Sequence, residues 1–266
     1  KMRKKIGIIQ GRLTKTKHFQ QFPKKWEEEF DKAKKIGFKS IEWVLDTKKN
    51  PLLKKNIKDK IFYLKKKNKI EIKSICCDIF MNHPLVQKNK INKKNFKLLK
   101  FLVNKLCSNY KIKILDVPFL KKNKIREVNF KKYIKLLKII EKDLINKKVF
   151  LAIETDLPPI KISKLLKKFK SKYICINYDM GNSAYWGYDP NLEFKLYGKR
   201  IANVHIKDCS KELYSVKFGQ GSVDFENISK LLEKNKYKKD FIIQGYRGKN
   251  NYAIAKEQLN FSKKFF

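Results

Sequence analysis

The sequence predicts an α/β fold, a single (β/α)8 barrel domain spanning 1–266, and three observations predict it. Eight short Val/Ile/Leu-rich runs recur at intervals of roughly 24 to 40 residues, about what one strand-plus-helix unit occupies. Segments with helical apolar spacing fill the intervals. No G-x-G-x-x-G follows the first run and no G-x-x-x-x-G-K-[ST] occurs anywhere, which sets aside the open nucleotide-binding sheets. Eight such units close most simply into a barrel, and 266 residues suit one barrel. Lys1 ahead of Met2 is expected to be an appended residue.

Ile6–Gln10 reads as the first strand. Trp26, Phe30, Ala33 and Ile36 then recur at helical spacing until Gly37 supplies a stop. Further strands are expected at Ser40–Leu45, Ile72–Cys77, Ile112–Val117, Val149–Glu154, Ile174–Asp179, Ile201–Ile206 and Phe241–Tyr246. Helix-period segments lie near 51–69, 92–110, 126–147, 158–170, 189–198, 224–237 and 251–265. The clearest of them places Phe130, Tyr133, Ile134, Leu137, Ile140 and Leu144 on one stripe with lysines opposite, so the stripe should pack on a sheet. Asp189-Pro190 is a good helix start, with Asp as cap and Pro at the first helical position.

Hydrophobic residues make up 42% of the chain and aromatics 13%, enough for a sizeable core beside a charged fraction of 34%. A net charge of +41 ordinarily signals nucleic acid, an anionic membrane surface or a phosphorylated substrate. Here nearly all of it is lysine. Arginine occurs only as Arg3, Arg12, Arg126, Arg200 and Arg247, and the lysines are spread through every expected helix. That spread reads as A+T-rich coding and solvated helix faces, so nucleic acid is not the expected partner, while attraction of anionic substrates survives. Cys76, Cys77, Cys107, Cys175 and Cys209 form no C-x-x-C pair and, being odd in number, no closed disulfide framework, which points to a reducing cytoplasm. No apolar run approaches the roughly 18 residues that span a bilayer, and Ile6–Ile9 is too brief for a signal-peptide core.

Four runs, Val149–Glu154, Ile174–Asp179, Ile201–His205 and Phe241–Gln244, each end on a residue that can bind a metal. The carboxyl ends of parallel strands are where such folds place their chemistry, so a metal-dependent active site is expected there. Side chains alternate along a strand, which groups Asp156 with Glu154, Asn177 with Asp179, and Asn203 and Lys207 with His205. Two carboxylates, an imidazole and an amide oxygen make a hard, mixed site suited to Mn2+, Mg2+, Co2+ or Zn2+. His18, His83 and His205 all fall in or just after strand ends on this face. Arg12 and Arg247 follow the first and eighth strands, which neighbour each other in a closed barrel; they read either as bidentate anion anchors or as structural salt bridges. Trp43 reads as a sugar-stacking ring or a core aromatic, and Tyr185-Trp186-Gly187-Tyr188 as a loop serving a lid or a contact in a homo-oligomer.

The segments Ile6-Gly7-Ile8-Ile9-Gln10-Gly11-Arg12-Leu13, Ile41-Glu42-Trp43, Leu151-Ala152-Ile153-Glu154-Thr155-Asp156, Asn177-Tyr178-Asp179-Met180-Gly181-Asn182, Val204-His205-Ile206-Lys207-Asp208, Gly219-Gln220-Gly221-Ser222-Val223-Asp224-Phe225 and Ile243-Gln244-Gly245-Tyr246-Arg247 follow in that order. Together they resemble the xylose isomerase-like TIM-barrel superfamily in its sugar phosphate isomerase/epimerase branch, over nearly the whole chain. The resemblance implies a divalent ion held by Glu, Asp, His and Glu, matching Glu154, Asp179, His205 and Gln244, the last a departure. It implies isomerisation or epimerisation of a small sugar or sugar phosphate through an enediolate, with Glu154 as base. An amide at 244 cannot accept and return a proton, so either Lys207, Glu42 or His83 serves the opposite face, or the reaction needs only one base. Gln10, Arg12, Asn177, Asn182, Asp208 and Arg247 are the substrate-binding candidates, with Lys207 beside the arginines as a holder of phosphate or carboxylate. Three other readings stay open: a metal-dependent dehydratase or lyase on a polyol or keto acid, a non-catalytic sugar- or metal-binding barrel, and a nuclease of the endonuclease IV type, which needs more histidines than three.

Overall fold

The computed structural model describes residues 5–212 and 214–266, so the expectation for Lys1 lies outside the described residues. Eight parallel strands close a barrel: β1 (Ile6–Ile9), β2 (Ser40–Val44), β3 (Glu71–Cys76), β4 (Ile114–Phe119), β5 (Phe150–Thr155), β6 (Ile174–Asp179), β7 (Ile201–Ile206) and β8 (Phe241–Ile243). Each pairs with its chain neighbours, and β8 returns to β1 in the register Ile6 to Phe241 and Ile8 to Ile243. The outer ring is α1 (Glu28–Ile36), α2 (Lys58–Asn68), α3, α4 (Phe130–Lys147), α5 (Pro159–Leu166), α6 (Pro190–Tyr197), α7 (Phe225–Lys234) and α8 (Asn251–Ser262). α3 runs as Lys93–Phe101, widens to a π-helical turn over Leu102–Leu106 and ends as Cys107–Tyr110.

The predicted caps form. Asp189 accepts the Asn191 backbone N–H ahead of Pro190, and Gly37, at φ 105°, returns its N–H to Ala33 and Lys34. Three other helices end on lysine in the left-handed region: Lys69 (φ 56°), Lys111 (φ 57°) and Lys148 (φ 53°). A chain with only ten glycines has put lysine where the backbone favours glycine, at a strain of about 1 kcal/mol each. On α4 the buried set is Tyr133, Leu136, Leu137, Ile140 and Leu144. Phe130 and Ile134 pack at its margin, so the stripe faces the sheet as expected.

Two apolar zones frame the interior. The main core lies between sheet and helices and holds Ile8, Ile41, Trp43, Leu115, Val117, Leu151, Ile153, Val204 and Ile243. Inside the barrel only small clusters survive, Ile9, Val44, Cys76 and Ile242 in one, Ile114, Ala152, Cys175 and Ala202 in the other. The rest of the lumen is polar. Glu42, Asp116, Asn177, Asn203, His205 and Lys207 are all buried there. A register shift between β6 and β7 pairs Ile176 with Ile201 but Asn177 with Asn203, leaving Ala202 as an extra residue. Such a bulge re-aims the strand; Ala202 and Asn203, adjacent in sequence, both reach interior groups.

Some expectations shift. β4 starts and ends two residues later than expected, with Pro118 inside it opposite Glu154. Residues 51–57 form two 3-10 turns before α2. A hairpin, Val86–Gln87 with Lys90–Ile91, and two short helices, Ile79–Asn82 and Met180–Tyr185, add structure where loops were expected, so Tyr185 ends a helix. Among the described residues, no helix is long and apolar enough to cross a membrane.

Candidate active site

Glu154, near the carboxyl end of β5, is buried with both oxygens engaged: Asn177 donates to Oε2 at 3.1 Å and Asn182 to Oε1 at 2.6 Å. Asn182 is placed by the short helix that follows β6, where Asp179 caps its backbone N–H at 2.8 Å. Its amide oxygen accepts in turn from Lys207 and from the Tyr214 hydroxyl. The Lys207 ammonium stands 3.4 Å from Asp179 Oδ2 and 3.7 Å from the centre of the Tyr214 ring. Glycine at 181 is what lets this lysine lie down, since a Cβ there would sit 2.7 Å from its methylene chain. Burial, and then the nearby Asp179, push the Glu154 carboxyl up to about 7.

His205 lies deeper, wholly buried with Glu42 and Asp116. Its Nε2 is 2.6 Å from Glu42 Oε1, and Asn203 donates to the other Glu42 oxygen at 2.9 Å. Its Nδ1 faces the Asn177 amide at 3.1 Å. Burial pulls the imidazole down, but Glu42, followed by Asp116 and Glu154, outweighs it and holds the ring up to about 10. Asp116 is driven well above the carboxylate range by burial and by Glu154, and neither of its oxygens accepts a hydrogen bond. Glu42, Asp116 and His205 are, among the described residues, the three metal-capable side chains whose donor atoms lie within 4.8 Å of one another.

Hydrogen bonds thus join seven residues singled out in the sequence: Glu42, Glu154, Asn177, Asp179, Asn182, His205 and Lys207. Gln244 is buried past the end of β8, its backbone N–H held by the Ile206 carbonyl. Gln10 accepts the Val44 N–H through its side-chain oxygen while its amide nitrogen stays buried and unbonded. Other candidates serve the frame. Arg12 is buried and gives its donors to Gly245 O, Phe19 O and Gln20 Oε1; Arg247 gives its own to Gly11 O and Thr16. Among the described residues, neither arginine forms an ion pair with a carboxylate. Asp208 gathers the N–H groups of Cys209, Gly219, Gly221 and Val223 and so shapes the loop after β7. Trp43 is a core ring packed on Phe22 and Trp26. His83 and His18 are exposed, and Asp156 pairs with Lys124.

Asp116 and Tyr214 were not singled out by sequence reasoning, and Asn203 was grouped with His205 without a role. Asp116 carried a readable signal, an acid at the centre of an otherwise apolar strand. Tyr214 lies in an irregular loop, where periodicity says nothing of direction.

The chain matches the xylose isomerase-like TIM barrel family over residues 30–265. A Haemophilus influenzae protein named "Putative L-ribulose-5-phosphate 3-epimerase SgbU" is 27% identical over 94% of this chain and 91% of its own length. An inosose dehydratase of Clostridium botulinum is 32% identical over 29% of this chain and 32% of its own. The crystal structure of the IOLI protein with a bound zinc atom superposes with a TM-score of 0.75 at 16% identity, covering 98% of this chain and 99% of that one. Strand order, polar lumen and sequence match agree, and the chain belongs to the xylose isomerase-like TIM barrel family.

Proposed function

We propose that the chain is a metal-dependent epimerase or isomerase of a small sugar or sugar phosphate, with Glu154 as its base. The observation that carries this reading is the state of Glu154: buried, aligned by two asparagine amides and held up to about 7, a poise suited to taking and returning a proton near neutrality. Lys207 is the charged donor nearest that carboxylate's partners and serves the developing negative oxygen or the opposite face of the substrate. Glu42, wholly buried and bound to His205, acts through the imidazole as a positioning residue.

The donor types suit a divalent ion, but among the described residues Glu154, Asp179 and His205 do not bring their donor atoms within 4.8 Å of one another, as Glu42, Asp116 and His205 do. Asp179 Oδ2 is buried and accepts no hydrogen bond, with the Lys207 ammonium beside it at 3.4 Å, and Glu154, His205 and Gln244 add a carboxylate, an imidazole and an amide oxygen. When bound, such an ion supplies Lewis acidity at a carbonyl oxygen and so eases removal of the neighbouring proton. A carboxylate on one nitrogen of a ligating histidine fixes its tautomer, which is the relation Glu42 has to Nε2; Nδ1 would bind only once the Asn177 amide, 3.1 Å away, turns aside. Glu42, Asp116 and Nε2 form a competing set, favoured by their spacing and by the unbonded oxygens of Asp116.

Likeness to an inosose dehydratase supports the second reading, loss of water by the same base. Five free cysteines fit a reducing cytoplasm as the setting. The test is NMR in D2O with phosphorylated and free ketopentoses and ketohexoses. Deuterium entering the substrate carbon with an epimer or isomer formed, and lost in Glu154→Gln, supports the proposal; a dehydrated product selects the second reading. Binding of sugar with neither exchange nor product would leave a non-catalytic barrel.

A further inference from the structure

A cavity of about 820 Å3 opens beside the barrel mouth, walled by the loops that follow β3 and β4. Seven cationic side chains line it: Lys48, Lys88, Lys94, Lys121, Lys122, Lys124 and Arg126. No carboxylate does. Lys124 is bound to Asp156, and the other six are without an ion-pair partner among the described residues. Positive residues outnumber acids in this chain, 66 to 25, so what sets these cations apart is their convergence on one concavity. Six unpaired like charges converging on one concavity repel each other, and an anion that fills it relieves the repulsion.

Lys88 and Asn89, at φ 46° and 55°, form the two-residue turn of the hairpin, which fixes the shape of one wall. Between the cations stand Asn82 and Asn89, whose amides suit hydroxyl groups, and His83 is the one aromatic ring in the lining among the described residues. The geometry points to a site for the phosphate of a small polyhydroxylated ligand, held by Lys121, Lys122 and Arg126 with the asparagines on its hydroxyls. The arginines flanking β1 and β8 are bonded to backbone carbonyls, whereas these cations are free to bind phosphate. The assignment does not depend on the reaction proposed above.

Equilibrium binding of ribose 5-phosphate and of inorganic phosphate is measured by calorimetry at fixed ionic strength. The proteins are the wild type, a cavity triple variant (Lys121→Asn, Lys122→Gln, Arg126→Gln) and a control triple variant (Lys167→Gln, Lys168→Gln, Lys170→Gln). The control removes the same charge from exposed positions at the end of α5. Asparagine tolerates the left-handed backbone at 121, and thermal melts check that both variants fold. The expected result is binding of ribose 5-phosphate that weakens about tenfold or more in the cavity variant and stays within about twofold in the control. Equal loss in both variants would mean that only the overall positive field attracts the anion, and absence of millimolar binding by the wild type would equally overturn the site. Because no turnover is measured, failure of the epimerase reading leaves this result readable.

Discussion

Replacing Glu154 with glutamine separates the strain this carboxylate places on the fold from the work it does. Its folded pKa of about 7 stands against an ordinary 4.5, so the ionised form is disfavoured in the folded state by about 3 kcal/mol. The sign follows from the direction. A raised folded value means that the stability is fully present below pH 4.5 and is lost as pH rises through 7. Glutamine matches the protonated carboxyl in shape and has no charge to lose. In metal-free protein the two should therefore be close at pH 4.5, with the variant ahead by about 3 kcal/mol at pH 8, a midpoint difference of roughly 6 °C for a chain of this size. Turnover should fall by about 10² or more. Urea and thermal denaturation at pH 4.5, 6, 7 and 8 with chelator present measure the gap. A gap independent of pH, or a variant less stable than wild type at pH 8, would refute the reasoning that this carboxyl is held against its own ionisation.

Four other expectations are open to direct measurement. Asp179→Asn should lose a bound divalent ion while Asp116→Asn keeps it, read by metal analysis after dialysis; the reverse pattern moves the ion to the Glu42, Asp116 and His205 group. Because the His205 ring is held up to about 10 in the metal-free protein, loading should release a proton and tighten by about tenfold per pH unit between pH 7.5 and 9, checked by calorimetry in buffers of different ionisation heat. Glu42→Gln should weaken metal retention by about 10 to 100-fold with little change in fold, and unchanged retention would show that Glu42 does not orient the imidazole. Lys148→Gly should raise stability by about 0.5–1 kcal/mol through relief of left-handed backbone at the end of α4; a lower melting temperature would contradict it.

The barrel was legible because β5, β6 and β7 are buried on both faces and so read as continuous apolar runs punctuated only where chemistry intrudes. Glu154, Asp179 and His205 stood out for the same reason. Alternation along a strand put Asn177 on the face of Asp179, though its partners are Glu154 and His205, and it missed the bulge at Ala202, because an extra residue in a ladder leaves no mark on hydrophobicity. The arginines show the opposite failure. Rarity made Arg12 and Arg247 conspicuous, yet rarity does not reveal which carbonyls a guanidinium will meet, and both bind loop backbone. The six cations of the β3–β4 cavity were hidden among lysines elsewhere, since only the fold shows which of them share a concavity.

The reciprocal clasp of Arg12 on Gly245 and Arg247 on Gly11 joins the first unit of the ring to the last. Without β8 and the residues that follow it, a sheet of the first seven strands would be an open crescent with two bare edges. Such a crescent is prone to pairing with its neighbours on a polysome. A net charge of +41 adds mutual repulsion between such open sheets.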